Sequence, residues 1–205
     1  QLADVVGSTS AILNGPAQFP ECDTFIVATD NGMLYQLRQR YPDGQIACTR
    51  KAIPGTRSLA TQAILAAGGI IHRGGCAETV LLFANHRRFL TNPNDWTNAV
   101  ARLRSHAPEK KIVVEADTPD EALAALRAAP DVLQLDKFTP EQATDIARLA
   151  PSLAPHCTLA LTGGITLASL ASYLDCGIRL FITSAPYYAP PADIKVSLNP
   201  DARGI

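Results

Sequence analysis

The sequence lacks several features that would point to particular classes of protein. It has no apolar run near the roughly 20 residues that a membrane helix needs, so we expect no membrane partner. Its formal net charge of −1 provides no general attraction for nucleic acid. The first residues, QLADVVGSTS, have neither the basic nor the apolar region of a secretory signal peptide, and we expect a cytoplasmic protein.

The cysteines lack the spacing of a metal or redox centre. The chain has five of them, Cys22, Cys48, Cys76, Cys157 and Cys176. They form no C-x-x-C pair, and an odd, scattered set argues against a disulfide framework. Four lie in or beside apolar segments, where a reduced cysteine acts as a small core residue. We therefore expect reduced, structural cysteines, as in a cytoplasmic protein.

What the sequence does contain is a repeated alternation of apolar runs and helical segments. The strand-like runs, each ending in polar residues, are 24–30, 45–51, 79–85, 111–117, 132–137, 158–164 and 179–185. Between them, Thr118, Thr139 and Thr166 are predicted to begin helices, and Gly177 is predicted to follow the end of one. Apolar strands that alternate with helices indicate a parallel sheet covered by helices.

Two architectures fit this alternation, an open doubly wound sheet and a (β/α) barrel. An open sheet gathers its ligand groups at one switch point, whereas a barrel places them at the carboxyl ends of successive strands. Polar groups here follow five strands: Arg50-Lys51, Glu115-Asp117, Asp136-Lys137, Thr162-Gly163-Gly164 and Ser184. We therefore favour the barrel, an α/β fold of mostly parallel strands with outer helices.

Two basic pairs predict anion binding at the early strands. Arg50 supplies a planar fork for carboxylate or phosphate and Lys51 a point charge, although a solvated strand end would look the same. His72 and Arg73 stand between two glycine pairs, which allow the backbone to approach a ligand closely. This pair suits a carboxylated ring, and the alternative is a flexible loop with incidental basic residues.

The middle and late strands carry carboxylates and a glycine turn. Glu115 and Asp136 end neighbouring strands, where they could hold Mg²⁺, contact ribose hydroxyls or cap helices. Gly163-Gly164 follows a late strand and precedes a helix, which is typical of phosphate binding in barrels, and Ser184 would complete the phosphate site. The combination predicts a phosphorylated sugar bound with Mg²⁺ and an acidic co-substrate.

The segments that carry these groups resemble the quinolinate phosphoribosyltransferase (nicotinate-nucleotide pyrophosphorylase) family, and within it the ModD branch. The resemblance covers residues 46–200 and rests on TRKAIPGTR, GGIIHRGGCAETVLLFANHR, VVEADTPDEA, LQLDKFTPEQ, LTGGIT and TSAPYYAPPADI. It implies an incomplete (β/α) barrel. It also implies an enzyme of NAD biosynthesis that transfers phosphoribose from phosphoribosyl pyrophosphate to a pyridine-carboxylate nitrogen and releases pyrophosphate. A homodimer is a further expectation.

The same resemblance implies a role for each candidate residue. The acidic base would be held by Arg50, His72 and Arg73. The phosphoribosyl pyrophosphate and its Mg²⁺ would meet the catalytic residues Lys51, Glu115 and Asp136, of which the two carboxylates are the metal ligands. The 5′-phosphate would be cradled by Thr162, Gly163, Gly164 and Ser184.

Two features depart from the family pattern. Where the quinolinate enzymes have Lys-Asp-Asn-His, this chain has residues 83–86, Phe-Ala-Asn-His, which lack the lysine that helps to bind the dicarboxylate. This argues against quinolinate as the acceptor. The family also has an N-terminal α/β-sandwich domain before the barrel, and the segment found in that place, residues 1–45, has a different character.

Residues 1–45 resemble the C-terminal third of quinolinate synthase through VGSTSAI and FIVATDNGMLYQLRQRYPD. The cysteines that bind the iron–sulfur cluster of that family have no counterpart, so we expect no cluster. We therefore predict a βα segment, 1–45, packed on a phosphoribosyltransferase-like barrel, 46–205, with the join near residues 44–45. Two alternatives stay open: a non-catalytic remnant that binds a phosphate ligand without turnover, and an activity like that of quinolinate synthase.

Overall fold

Two sheets form the framework of the computed structural model, which describes residues 10–13, 25–28, 32–75 and 77–189. The smaller sheet pairs two antiparallel strands, β1 (Ser10–Leu13) and β2 (Phe25–Ala28). The larger sheet contains seven parallel strands: β3 (Gln45–Cys48), β4 (Ile70–Ile71), β5 (Thr79–Leu82), β6 (Lys111–Ala116), β7 (Val132–Asp136), β8 (Thr158–Thr162) and β9 (Leu180–Thr183).

The large sheet is a barrel that is open on one side. Its strand order is β4-β3-β9-β8-β7-β6-β5, so the first strand of the series, β3, pairs with the last, β9. The open side lies between β4 and β5, which are the two edges of the sheet within the described residues. The predicted α/β fold, an incomplete barrel of parallel strands with outer helices, is confirmed.

Seven α-helices accompany these strands in the described part of the chain. They are α1 (Met33–Arg40), α2 (Arg57–Ala66), α3 (Ala84–Arg87), α4 (Trp96–His106), α5 (Pro119–Arg127), α6 (Pro140–Leu153) and α7 (Leu167–Leu170). None of these described helices has the length and apolar content that a membrane crossing requires. The hydroxyls of Thr118, Thr139 and Thr166 accept hydrogen bonds from backbone N–H groups three residues further on, which confirms the three predicted N-caps.

Alternation along the strands gives the large sheet two different sides. The side that faces the helices buries a continuous apolar core, in which Leu135, Leu161 and Phe181 have no exposed surface. Burial of each such side chain contributes on the order of 1.5–3 kcal/mol. The interior of the barrel holds a small apolar cluster, formed by Ala47, Ala160, Ile182, Val132 and Leu180. We call this cluster the lower interior.

Two residues further along β7 and β8 the interior becomes polar. Because side chains alternate with a period of two, Gln134 follows Val132 on the interior side, and Thr162 follows Ala160. The parallel register aligns Glu115 with Gln134 and Asp136 with Thr162. A polar region, the upper interior, therefore lies above Val132 and Ala160, at the carboxyl ends of the strands. Ile182, which is aligned with Thr162 and also lines the cleft, forms the boundary between the two levels.

One strand prediction was wrong in its placement. The run 24–30 was expected among the parallel strands, but β2 pairs with β1 in the separate antiparallel sheet. It has no position beside β3, because β4 and β9 occupy both hydrogen-bonding edges of that strand. The seventh barrel strand is instead β4, a two-residue strand between glycine pairs that the sequence prediction missed.

The end of the predicted N-terminal segment packs against the barrel. Met33 and Leu37 of α1 are buried in the same core as the strands β3 and β9. The Arg38 guanidinium donates hydrogen bonds to the backbone oxygens of Gly44 and Gly68, which tie α1 to the starts of β3 and β4. Most of residues 1–31 lie outside the described residues, and the division of the chain at residue 45 stays a prediction.

Candidate active site

The carboxyl ends of the barrel strands surround a cleft of about 960 Å³. All ten residues predicted from the strand ends line this one cleft: Arg50, Lys51, His72, Arg73, Glu115, Asp136, Thr162, Gly163, Gly164 and Ser184. They come from six different strand ends. Because β3 pairs with β9, the residues that follow the first strand, such as Arg50, lie close to those that follow the last, such as Ser184.

The loop after β3 is fixed to the segment after β9. The Thr49 and Ser184 hydroxyls share a hydrogen bond. The Tyr187 hydroxyl donates to the Thr49 carbonyl at 2.8 Å, and the Tyr188 hydroxyl donates to the Lys51 carbonyl at 3.0 Å. These contacts hold the predicted cationic pair, which lies just beyond the end of β3, beside the predicted phosphate-binding serine.

The segment after β4 presents His72 and Arg73 to the cleft. The His72 N–H donates to the Cys48 carbonyl at 2.8 Å, which continues the β3–β4 pairing by one residue. The His72 imidazole is hydrogen-bonded through Nε2 to the Gln134 amide at 2.8 Å. Burial, followed by the charges of Arg73 and Arg50, lowers the pKa of His72 to about 4. His72 is therefore a neutral hydrogen-bonding group near pH 7 rather than a third cation.

An aromatic ring forms the wall next to Arg73. Phe83 follows β5 and lines the cleft. By the resemblance drawn from the sequence, it is the position at which the quinolinate enzymes are expected to have a lysine. The Arg73 guanidinium lies over this ring, with its carbon 5.9 Å from the ring centroid. The backbone of Arg73 has φ +64°, a left-handed conformation that is uncommon for a residue with a side chain. This wall thus combines a cation with an apolar face instead of two cations.

The carboxylates of the upper interior lie close enough to repel one another. Burial, followed by the charges of Asp136 and Asp117, raises the pKa of Glu115 to about 7, while Lys137 and Lys51 act in the opposite direction. Lys137 also forms an ion pair with Asp136, with Nζ 3.3 Å from Oδ2. The pocket therefore holds a carboxyl group that gains or loses its proton near neutral pH.

These donors fit a magnesium ion that is bound together with a phosphate ligand. Within the described part of the chain, no cluster of three or more histidine, cysteine, aspartate or glutamate side chains is arranged to hold a metal. Mg²⁺ usually binds through one or two carboxylates plus substrate phosphates rather than in a protein cage. The repulsion between Glu115 and Asp136 is what a divalent cation would relieve, so the pair suits such a shared ion.

A double-glycine turn forms the side of the cleft beyond β8. Gly163 and Gly164 have φ values of +80° and +78°, which residues with a Cβ rarely adopt. A Cβ on Gly163 would collide with the Asp136 carboxylate and lie 2.9 Å from the backbone nitrogen of Lys137. A Cβ on Gly164 would meet open space. The turn thus packs tightly on the carboxylate side and stays open toward the cleft. The Lys137 N–H donates to the Thr162 carbonyl at 2.8 Å and joins the two strand ends.

The helix after this turn is shorter than predicted. It was expected to run from Thr166 to Gly177, but α7 ends at Leu170 and a 3₁₀ turn, Ala171–Tyr173, follows it. A single turn has a small dipole, so backbone N–H groups rather than a helix dipole are the source of any anion attraction here.

The sequence prediction missed several residues that line the cleft. They include Thr49, Arg57, Gln134 and Tyr188. The signal for Gln134 was present: it is a single polar residue inside the apolar run VLQLD, and such a residue needs a partner when buried. Arg57 and Tyr188 left no comparable signal, because neither of them interrupts an apolar run.

Comparison with known families identifies the barrel. The family model described as quinolinate phosphoribosyl transferase, C-terminal domain, matches residues 27–197. The chain belongs to this family. Within it, the chain is similar to proteins named pyrophosphorylase ModD. It is 79% identical to one from Escherichia coli O157:H7, over 83% of this chain and 60% of that protein, and 52% identical to one from Pasteurella multocida, over 82% and 59%.

Solved structures of the quinolinate phosphoribosyl transferase family share the fold. The nicotinate-nucleotide pyrophosphorylase from Francisella tularensis superposes with a TM-score of 0.63 at 26% identity, over 74% of this chain and 52% of that one. NadC from Streptococcus pyogenes gives the same TM-score at 22% identity, over 76% and 53%, which is evidence of the fold alone. The chain thus spans about 60% of the length of the ModD proteins and about half of these structures.

These comparisons confirm the predicted family and its ModD branch. The family match begins at residue 27, well before the predicted join near residue 45. Helix α1 therefore lies inside the region that matches the phosphoribosyl transferase family. The resemblance of residues 1–45 to quinolinate synthase stays a prediction.

Proposed function

We propose that the cleft is a phosphoribosyl-transfer site that uses phosphoribosyl pyrophosphate and a pyridine-carboxylate-like acceptor and releases pyrophosphate. The observation that carries this proposal is the convergence of basic side chains, two mutually repelling carboxylates and an open double-glycine turn in one cleft. Each group suits a different part of such a reaction, and the relatives named pyrophosphorylases favour an enzyme over a protein that only binds a ligand.

In the proposed reaction a ring nitrogen of the acceptor forms a bond to C1 of the ribose. The bond from C1 to the pyrophosphate oxygen breaks, and its electron pair leaves with pyrophosphate. The ribose centre gains positive charge as the leaving group gains negative charge. Fixed charges and correct positioning of both reactants are therefore the main means of catalysis.

The residues have distinct proposed roles in this scheme. Arg50 and Arg73 hold the carboxylate of the acceptor, with His72 as a neutral hydrogen-bonding group beside them. Lys51 stabilises the departing pyrophosphate, and the carboxylates of Glu115 and Asp136 face the developing charge on the ribose. The 5′-phosphate lies on the backbone of Gly163 and Gly164, next to the hydroxyls of Thr162 and Ser184. Bound Mg²⁺ would supply charge neutralisation for the pyrophosphate, held by the same two carboxylates.

The acceptor we propose is a pyridine carboxylate other than quinolinate, or a ring of similar chemistry. The Phe83 wall offers an apolar face where a second carboxylate would need a cation. With a pyridine carboxylate as acceptor, the product would be a pyridine nucleotide, which connects the chain to NAD biosynthesis. Phosphoribosyl pyrophosphate carries several phosphate charges, and a cytoplasmic enzyme with small-molecule substrates fits this chemistry. A homodimer stays an expectation.

The test is release of pyrophosphate from phosphoribosyl pyrophosphate and Mg²⁺ with a panel of pyridine carboxylates. We expect turnover with at least one acceptor. Replacing Lys51 with Ala or Glu115 with Gln should each reduce it about 10²–10³-fold, as expected for loss of a charge that stabilises the transition state. Glu109→Gln, a matched change on an exposed turn, should have no effect. Binding of phosphoribosyl pyrophosphate without turnover for any acceptor would contradict the proposal and favour a ligand-binding protein.

A further inference from the structure

Gln134 occupies an unusual position for an amide side chain. It lies in the middle of β7, it is only 2% exposed, and it faces the barrel interior above Val132 and beside Ala160 of the apolar cluster. An amide in such a place is costly unless its hydrogen bonds are satisfied. A methionine or leucine would fill the same volume without that cost. Some property of the amide itself therefore requires an explanation.

The hydrogen bond to His72 gives that explanation. The bond joins the amide nitrogen of Gln134 to Nε2 of the imidazole, at 2.8 Å. An amide nitrogen can only donate a hydrogen bond, so Nε2 must be the acceptor and must carry no proton. The proton of the neutral ring then resides on Nδ1. Protonation of both nitrogens would set two donors against each other, so the bond also opposes the charged form.

The charged and titratable groups around this pair come from three neighbouring parts of the barrel. Arg50 and Arg73 come from the loops after β3 and β4, and both disfavour a charged imidazole. Glu115 lies beside Gln134 in the neighbouring strand β6 and has a raised pKa of its own. A neutral His72 thus depends on the two arginines, on burial and on the contact with Gln134 together.

We propose that Gln134 is a positioning residue that fixes the His72 imidazole with its proton on Nδ1, so that His72 donates one neutral hydrogen bond to the acceptor substrate. The inference about the acceptor rests on the proposed function, whereas the effect on His72 does not. It follows that the acceptor offers an oxygen or nitrogen lone pair to Nδ1–H, while its negative charge is met by the arginines.

The direct test is nitrogen NMR of protein labelled at histidine. The chain has four histidines, and a His72→Gln variant identifies the signals of His72. In the unaltered protein we expect a protonated Nδ1 and an unprotonated Nε2. In Gln134→Met the preference for Nδ1–H should be lost and the pKa of His72 should rise. In Gln134→Glu the carboxylate should accept from Nε2–H, which would move the proton to the other nitrogen.

A matched control lies at the other end of the same barrel. Gln45 is in β3, on the interior side below the apolar cluster, and Gln45→Met makes the same chemical change there. This variant should leave the His72 signals unchanged. In the enzyme assay, Gln134→Met should raise KM for the acceptor about tenfold, the value of one hydrogen bond, and change kcat and KM for phosphoribosyl pyrophosphate less than about twofold.

The outcomes separate the two proposals. A proton on Nε2 of His72 in the unaltered protein would overturn the inference even if Gln134→Met failed to fold. Unchanged His72 signals in Gln134→Met and Gln134→Glu would overturn it as well, and so would equal changes in Gln45→Met. If the expected signals appear but no acceptor supports turnover, Gln134 still positions His72 and the proposed function is what fails.

Discussion

The lower and upper interior of the barrel are built by the same strands yet have opposite character. In β7 and β8 the lower interior has Val132 and Ala160, and one step of the alternation above them the upper interior has Gln134 and Thr162. The lower level is apolar and small. The upper level contains a buried amide, two carboxylates that repel each other and the start of the glycine turn.

This difference shows how one sheet can serve stability and chemistry at once. The lower interior and the core on the helix side fix the positions of the strands by close packing. The last interior residue of each strand is then held on a rigid support while it faces the cleft. Polar groups that oppose folding are confined to this last layer, and one of them is the carboxyl group of Glu115, whose pKa is raised by burial. The comparison predicts that changes in the two levels will have separable effects.

The largest separable effect is expected at the glycine turn of the upper level. Gly163→Ala and Gly164→Ala both place a Cβ on a left-handed backbone, which costs about 1–2 kcal/mol. Only Gly163→Ala must also displace Asp136 and the Lys137 backbone. We therefore expect Gly163→Ala to lower the free energy of unfolding further and to abolish binding of phosphoribosyl pyrophosphate with Mg²⁺. Gly164→Ala adds a methyl group beside the proposed phosphate site without displacing Asp136, so it should weaken this binding less. Denaturant unfolding and calorimetry would measure both, and equal binding losses would contradict this account of the turn.

A smaller effect concerns the pH dependence of magnesium binding. The pKa of Glu115 in the folded chain, about 7, lies above its ordinary value of 4.5. The group is therefore mostly protonated below pH 7, and only its ionised form above pH 7 would serve as the proposed metal ligand. Its ionisation destabilises the fold as pH rises from 4.5 through 7. Affinity for Mg²⁺ with pyrophosphate should rise up to about tenfold between pH 6 and pH 8.

Calorimetric titration at several pH values would check this prediction. Glu115→Gln should bind more weakly and lose most of the rise, whereas Glu109→Gln should keep it. A pH profile in Glu115→Gln that matches the unaltered protein would show that another group causes the dependence.

The smallest expected effect concerns the lower level. Val132→Ala removes two carbon atoms from a partly buried position in the apolar cluster and should cost about 1 kcal/mol of unfolding free energy. It should leave the binding of phosphoribosyl pyrophosphate unchanged, because Val132 does not line the cleft. Thr162→Val, a change in the upper level, should instead weaken that binding. Weaker binding in Val132→Ala than in Thr162→Val would remove the distinction between the levels.

Much of this arrangement could be predicted from sequence because the end of a barrel strand is marked by a change from apolar to polar residues. An apolar run that stops at a polar group, as at Glu115 or Asp136, indicates both the strand and its functional end. The strand β4 left no such signal, since two residues between glycine pairs show no periodicity. The pairing of β2 with β1 was missed because local sequence does not reveal that β3 has no free edge.

The contact of Gln134 with His72 was beyond local reasoning for a related reason. The two residues are 62 positions apart, and their proximity depends on the curvature of the whole sheet. A polar residue in an apolar strand predicts that some partner exists. It does not indicate which residue that partner is, or that the contact would fix a tautomer.

The most direct test of the central claim is to map phosphoribosyl pyrophosphate with Mg²⁺ onto the chain through its backbone amide NMR signals. The account predicts that the largest changes occur at the carboxyl ends of the strands, at Lys51, Gly163, Gly164 and Ser184. The signals of Gln45 and Leu180, at the opposite end of the barrel, should stay in place. Changes concentrated at that opposite end, or no changes at millimolar ligand, would contradict the assignment of the upper interior as the active site.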